Sequence, residues 1–196
     1  MEKRDHDYLK RLPPEWYHGQ AYVHWSLTME SRATGWLVPI FYYKFREILT
    51  HATFRFGFCC PIYCCMPDHI HLLWIGIRDE CDQRKAMRYF RRQLKPVLEF
   101  FKVSFQLQPY DHVLREHEIE RTAFEDVADY IARNPERRRL APPDGYATYP
   151  YTGCLIPGYP ELKPFESDYW VHFWRIYSHL CKNGLHIGWN EAVESE

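Results

Sequence analysis

The chain has 196 residues, 46% hydrophobic and 26% charged, with 25 Lys+Arg against 26 Asp+Glu, a composition that excludes disorder throughout and suits one globular unit. A formal net charge of −1 gives no long-range pull on polyanions, so any nucleic-acid site must be a local basic patch. The longest apolar runs, 36–43 and 72–77, fall far short of the roughly 20 residues a bilayer helix requires, which excludes a membrane span. Seven cysteines, an odd number, and the charged start Met1-Glu-Lys-Arg-Asp5 point to a reduced, cytoplasmic protein. Aromatic residues at 17% imply either a very aromatic core or surfaces that stack on planar ligands.

Residues 1–20 read as an N-terminal arm. A strand is expected over 21–29 and a helix over 38–52, with Phe41, Lys44/Phe45 and Ile48 in register. A second strand is expected over 56–65. Met66-Pro67-Asp68 then makes a turn, since proline fixes φ and aspartate bonds its own backbone, and a strand follows over 69–77. Next come a helix over about 82–95, extended segments at 103–107 and 112–114, and a helix over 123–134. The order β-α-β-β-α-β-α predicts an α+β fold over 21–140, a ferredoxin-like split βαβ antiparallel sheet with helices on it. Residues 141–196 form a C-terminal extension packed on that unit. Six prolines and three glycines between 141 and 165 argue for an irregular, Tyr-rich strap. Ser167-Asp168 can cap a helix whose Trp170, Phe173, Trp174 and Tyr177 share one face. The polar residues 190–196 read as frayed.

Three strings carry chemistry. In Pro67-Asp68-His69-Ile70-His71-Leu72-Leu73-Trp74, strand alternation sends His69 and His71 to one face and Ile70 and Leu72 to the other. Two imidazoles on one face can hold one metal ion, and in an apolar run they are costly to bury without partners. Solvated histidines at a strand end are the plainer reading. A zinc cluster of Cys59-Cys60 and Cys64-Cys65 is disfavoured, because adjacent strand residues face opposite ways and CC-x3-CC lacks knuckle geometry. Small apolar core side chains account better for these cysteines.

Thr122-Ala-Phe-Glu125 reads as a capping box that opens a helix with Phe124, Val127, Ala128 and Ile131 as its buried stripe. Tyr130 and Asn134, at i and i+4, lie beside that stripe, and Pro135 ends the helix. A tyrosine in this setting is ordinarily a packed core residue. The helix after the histidine strand carries Arg84, Lys85, Arg88, Arg91, Arg92 and Lys95 against the single Asp82, while Met87, Phe90 and Leu94 line another side. One-signed clustering of this kind favours a polyanion partner over a merely solvated face. Arg133, Arg137, Arg138 and Arg139 add a second basic cluster.

Together these motifs resemble a known family. MPDHIHLLW is similar to the HUH signature (His, hydrophobic, His) of single-tyrosine, IS200-like insertion-sequence transposases. YIARNP, some 60 residues later, resembles the tyrosine motif of their REP-associated branch, as does the intervening Tyr110-Asp-His-Val-Leu-Arg115. The resemblance spans residues 20–140 and leaves the strap and last helix unmatched. It implies Tyr130 as nucleophile, His69 and His71 as catalytic metal ligands with Asn134 as the third, and Asp68 as an orienting neighbour of His69. It implies Mg²⁺ or Mn²⁺ as cofactor, acting as a Lewis acid on the scissile phosphate. It further implies a 5′-phosphotyrosine intermediate on single-stranded or hairpin DNA, with REP-like repeats as targets. Because the phosphotyrosine keeps the phosphodiester energy, joining needs no ATP, consistent with the lack of a phosphate-cradling glycine loop. DNA contacts are expected from Arg84, Lys85, Arg88, Arg91, Arg92, Lys95, Arg133 and Arg137. A monomer is favoured over a homodimer. Two alternatives stand beside this reading, a transposase relic that binds hairpins without cutting and a hydrolase that uses the histidine pair with water.

Overall fold

The structure, a computed structural model, describes residues 12–114 and 120–185. Residues 1–11 of the expected arm, Arg115 and the polar stretch 190–196 lie outside the described residues. The elements run β1 (Tyr22–Thr28), α1 (Pro39–Phe56), β2 (Phe58–Met66), β3 (His69–Gly76), α2 (Gln83–Phe100), β4 (Tyr110–Val113), α3 (Arg121–Ala132), α4 (Asn134–Arg137), β5 (Thr152–Leu155) and α5 (Tyr169–Asn183). One sheet takes the order β4-β1-β3-β2-β5, with every pairing antiparallel. Its first four strands, with α1 and α2 as the crossings, make the ferredoxin-like split βαβ arrangement expected from the sequence.

Burial follows from alternation. Val23, Trp25 and Leu27 of β1 join Ile70, Leu72 and Trp74 of β3 in a core beneath α1 and α2, which contribute Phe41, Phe45, Leu49, Met87, Phe90 and Leu94. Leu73 and Ile75 face the other way, into a second core with Phe124, Ala128 and Ile131 of α3 and Phe173, Trp174 and Tyr177 of α5. Strands β2 and β3 are therefore covered on both faces, which is why their sequences read as largely apolar runs. The high aromatic content is spent largely here, in edge-on and stacked rings such as Phe124 against Tyr22, Phe173 and Trp174.

The four cysteines of β2 are all buried. The β2–β3 register shifts between Cys59 and Ile62, at Pro61, which has no N–H for the ladder. This bulge resets the alternation, so Cys59 and Cys64 share one core while Cys60 and Cys65 share the other. Burial pushes the Cys64 thiol up to about 12, which suits a small apolar side chain and not a thiolate ligand.

Several element boundaries differ from expectation. Helix α1 runs to Phe56, where Gly57 takes the left-handed conformation at φ 68° and its N–H closes on Thr53, the conformation that favours glycine at a helix end. Its fully buried stripe passes through Leu49, with Ile48 only partly covered. Helix α2 continues through Pro96 to Phe100 because Leu98 extends the apolar stripe of Phe90 and Leu94 onto the core. Helix α3 begins at Arg121 with Glu120 as its N-cap. Thr122 thus lies inside the first turn, and the expected capping box does not form. Pro135 opens α4 after a bend at Arg133, since proline's fixed φ suits the first turn of a helix. Asp168 precedes α5 without capping its backbone, its carboxylate pairing instead with His172 at 3.3 Å. The strap contains regular structure after all. Thr152–Leu155 sit between Pro150 and Pro157 with their own N–H groups free to pair, and they add an edge strand to β2. In the described part of the N-terminal arm, Pro14–Tyr17 forms a 3-10 turn whose buried Tyr17 donates to Asp111.

Candidate functional site

Strand alternation places His69 and His71 on the face that carries Leu73 and Ile75. Both are nearly covered, at 6% and 9% exposure. Their rings stand edge to face with 4.7 Å between centroids, and the two Nε2 atoms lie 3.0 Å apart. Asp68 Oδ1 lies 2.6 Å from His69 Nδ1, while Arg32 donates to the other oxygen at 3.2 Å. An ionised carboxylate only accepts, so Nδ1 of His69 carries the proton and its Nε2 offers a lone pair. His71 Nδ1 lies 3.0 Å from Nε2 of His24 on β1.

Burial, helped by His24 and His69, pushes the His71 pKa down to about 2. Burial and neighbouring His112 push His24 down to about 4. His69 is also lowered, again chiefly by burial, which outweighs the pull of Asp68. For Asp68 burial works upward, but His69 and Arg32 outweigh it and hold the carboxyl below its usual range. The cluster is thus a row of neutral imidazoles flanked by a carboxylate, the protonation state that metal ligation requires.

The end of α3 comes to the same face. Phe124, Ala128, Ile131 and Ala132 bury one side of the helix, leaving Tyr130 on the other at 47% exposure. The ordinary expectation of a packed core tyrosine does not hold, because Tyr130 falls off the stripe that meets the sheet, whereas Val127 packs at its margin, partly buried. Asn134, buried at 7% exposure, donates through its Nδ2 to the carbonyls of Tyr130 (3.0 Å) and Ile131 (3.1 Å). These bonds cap α3 and use the amide hydrogens, leaving the amide oxygen out of the cap. Arg137 donates to the Tyr130 carbonyl at 2.9 Å and holds its guanidinium 4.1 Å from the centre of the Tyr130 ring. Arg137 also acts electrostatically on His71, and Arg138 on His69, lowering both. Arg137, stacked on Tyr130, thus lies within electrostatic range of His71.

The basic residues of α2 occupy the opposite face of the sheet. Arg55, Arg84, Lys85, Arg88, Arg91 and Arg92 line a groove of about 780 Å³ with Phe56, Tyr89 and the 107–109 segment. Their guanidinium groups differ in commitment. Arg84 and Arg92 lie over Tyr17 and Tyr89 at 5.6 and 5.8 Å. Arg91 donates to the carbonyls of Gln106 and Leu107, holding the chain before β4. Lys85 pairs with Asp82 at 3.4 Å and Lys95 with Glu99 at 3.7 Å. At the α3–α4 corner, Arg133 binds Asp129, Glu136 and Asp144 and stacks on Tyr146.

The donor set can be tested against a divalent ion. Among the described residues no three His, Cys, Asp or Glu side chains are grouped to hold a metal, so the histidine pair needs a donor of another type. Asn134 has that chemistry in its amide oxygen. The 3.0 Å between the two Nε2 atoms is the spacing of adjacent ligands around an octahedral ion with bonds of about 2.1 Å. An amide oxygen and open positions would suit Mg²⁺ or Mn²⁺, and the two imidazoles favour Mn²⁺ of the two. Among the described residues no helix is long and apolar enough to cross a membrane.

Sequence reasoning missed His24 and Arg32, and it read Arg137 as a DNA contact in a basic cluster, not as the partner of Tyr130. The alternation Tyr22-Val-His-Trp-Ser-Leu-Thr28 does show that His24 sits on the polar face of β1. The register that brings it to His71 is a long-range fact.

No family model matches the sequence, and no curated protein does. Among solved structures, the chain is similar to a REP-associated tyrosine transposase bound to a REP hairpin, with a TM-score of 0.60 and 16% sequence identity over 74% of this chain and 81% of that one. The α+β fold described above is the fold of that protein.

Proposed function

We propose that the chain is a transposase that cuts and rejoins single-stranded or hairpin-forming, REP-like DNA through a phosphotyrosine on Tyr130. The observation that carries this reading is an exposed tyrosine stacked by Arg137, whose guanidinium acts electrostatically on one of two buried neutral imidazoles that share a sheet face. DNA as the partner is supported by the shared fold with a protein solved on a REP hairpin.

The chemistry assigned to each residue follows from its surroundings. Held by His69, His71 and the Asn134 oxygen, Mg²⁺ or Mn²⁺ would supply Lewis-acid polarisation of the scissile phosphate. Tyr130 Oη attacks phosphorus, forming a Tyr–O–P bond while the P–O3′ bond breaks. The phenolic proton passes to solvent, and solvent supplies the proton with which the departing 3′-oxygen leaves as a hydroxyl. Reversal with another 3′-hydroxyl rejoins a strand and frees the tyrosine. Arg137 places a fixed cation beside the ring, where charge collects on the attacked phosphate. Asp68 holds His69 in its ligating tautomer.

The α2 groove, on the opposite face of the sheet from the histidines, would serve as the phosphate-binding surface, with DNA passing around the β4 edge. The groove's lip at 107–109 runs directly into β4. Tyr110, Ser26 and His71 then occupy one row across β4, β1 and β3. Two strand spacings, about 10 Å, separate Tyr110 from His71 along the sheet.

The test uses hairpin DNA with a single-stranded flank and Mn²⁺. Wild type should yield a denaturation-resistant adduct on the peptide that contains Tyr130, and Tyr130→Phe should fold and bind DNA but form none. Undiminished cleavage by Tyr130→Phe would indicate a water nucleophile. Binding without cleavage by the wild type would indicate the relic.

A further inference from the structure

We propose that His24 is a positioning residue for His71, reversing one hydrogen bond so that His71 Nε2 can give up its proton and present a lone pair. The inference rests on the reading of His69 and His71 as metal ligands.

A neutral imidazole has one N–H and one lone pair, so a hydrogen bond at one nitrogen decides what the other can do. For His69 the decision is fixed, because Asp68 accepts from Nδ1 at 2.6 Å and cannot donate. His71 differs in having ring nitrogens at both ends. Its Nε2 faces His69 Nε2 at 3.0 Å, and its Nδ1 faces His24 Nε2 at 3.0 Å.

Two arrangements satisfy this geometry. In one, His24 Nε2–H donates to His71 Nδ1 and His71 Nε2–H donates to the His69 lone pair. Every facing nitrogen is then paired, and His71 cannot ligate. In the other, His71 Nδ1–H donates to His24 Nε2, and the bare Nε2 atoms of His69 and His71 face each other. Two lone pairs at 3.0 Å repel unless a cation lies near both, so this second arrangement belongs with a bound ion. The change balances without net proton release. His71 loses the Nε2 proton and gains one at Nδ1, while His24 loses its Nε2 proton and gains one at Nδ1.

The partner at this position must therefore donate in one state and accept in the other. A carboxylate only accepts and an ammonium only donates, whereas an imidazole does both. His24 is held there by the sheet, opposite Leu73 in β3 and His112 in β4, and its ring tilts 40° against that of His71 at 5.1 Å.

The test compares wild type with His24→Phe, which fills the space but can neither donate nor accept, and His24→Gln, whose amide can do both. Nitrogen-15 spectra of the histidine rings are recorded on the metal-free proteins, and Mn²⁺ affinity is measured by calorimetry. The expected spectrum for wild type has a single His71 tautomer, protonated at Nε2, with Mg²⁺ shifting it to the Nδ1-protonated form. His24→Phe should perturb the His71 Nδ1 resonance and weaken Mn²⁺ binding by about 10- to 100-fold, with thermal melting near wild type. His24→Gln should restore affinity toward wild type. An unchanged His71 spectrum in His24→Phe would overturn the proposal whether or not metal binds. Wild type without Mn²⁺ affinity overturns the ligand reading instead, and unchanged affinity in a folded His24→Phe overturns the positioning role alone.

Discussion

Arg137 grips Tyr130 twice, with its guanidinium 4.1 Å from the ring centre and a hydrogen bond of 2.9 Å to the tyrosine's own carbonyl. Both contacts reach across the break at Arg133 between α3 and α4. An exposed tyrosine would otherwise sample several rotamers, and a planar cation on its face narrows them. Arg137→Ala should lower adduct formation by about tenfold or more while leaving thermal melting within a degree or two. Arg137→Lys keeps the charge but loses the flat stacking surface, so it should fall between wild type and Ala. Equal rates in all three proteins would remove Arg137 from the reaction.

Within the α2 groove, the arginines separate into those open to a ligand and one used by the fold. If about four phosphates are neutralised, log K should fall against log[salt] with a slope near −3 for single strands. Arg84→Ala, Arg88→Ala and Arg92→Ala should each flatten it by somewhat less than one. Arg91→Ala should act differently, because its guanidinium holds the carbonyls of Gln106 and Leu107. It should cost about 1–3 kcal/mol of stability with little effect on the slope. A triple variant at Arg84, Arg88 and Arg92 with unchanged affinity and slope would place the DNA elsewhere.

What the sequence made legible was local in origin. The strand with His69 and His71 on one face, the turn at Pro67-Asp68 and the stripe of Phe124, Ala128 and Ile131 all follow from periodicity over a few residues. The split βαβ order follows from the succession of elements. Features set by distant pairing were not legible. Pro61's bulge makes Cys59 and Cys64 share a face against simple alternation. His24 meets His71 only through the β1–β3 register. The placement of α2 across the sheet from the histidines depends on the hand of its crossing, and β5 forms because β2 leaves an edge for it. The two ends of α3 misled because Thr122 at its start and Pro135 after its end each carry a strong local signal that the helix boundaries did not obey.

The histidine row also sets a pH dependence. Burial places the folded pKa of His71 at about 2 and of His24 at about 4, and lowers His69, whereas in the unfolded chain each titrates near 6.5. The unfolded state therefore binds more protons below that value. The stability is fully present above about pH 6.5 and is lost as the pH falls toward the folded values. Each histidine can contribute up to about 1.4 kcal/mol per pH unit to this slope. Urea melts at pH 7, 6 and 5 should show a steep decline in wild type and a shallower one in His71→Gln. Stability that stays flat from pH 7 to 5 in the wild type would contradict buried neutral histidines at these positions.

Asn134 joins two tasks that a pair of substitutions can separate. Its Nδ2 caps α3 by donating to the Tyr130 and Ile131 carbonyls, and its oxygen is the proposed third ligand. Asn134→Ala removes both, so it should destabilise the fold by about 1–3 kcal/mol through the unmade bonds and weaken Mn²⁺ binding. Asn134→Asp keeps oxygen donors for the metal but turns an accepting group toward two carbonyl oxygens. It should therefore lose comparable stability in metal-free buffer while retaining or improving Mn²⁺ affinity, with added Mn²⁺ raising its melting temperature by more than it raises that of Asn134→Ala. Thermal melts with and without Mn²⁺, read beside calorimetry, distinguish the tasks. If Asp and Ala weaken metal binding equally, Asn134 is a helix cap and the third donor lies on another residue.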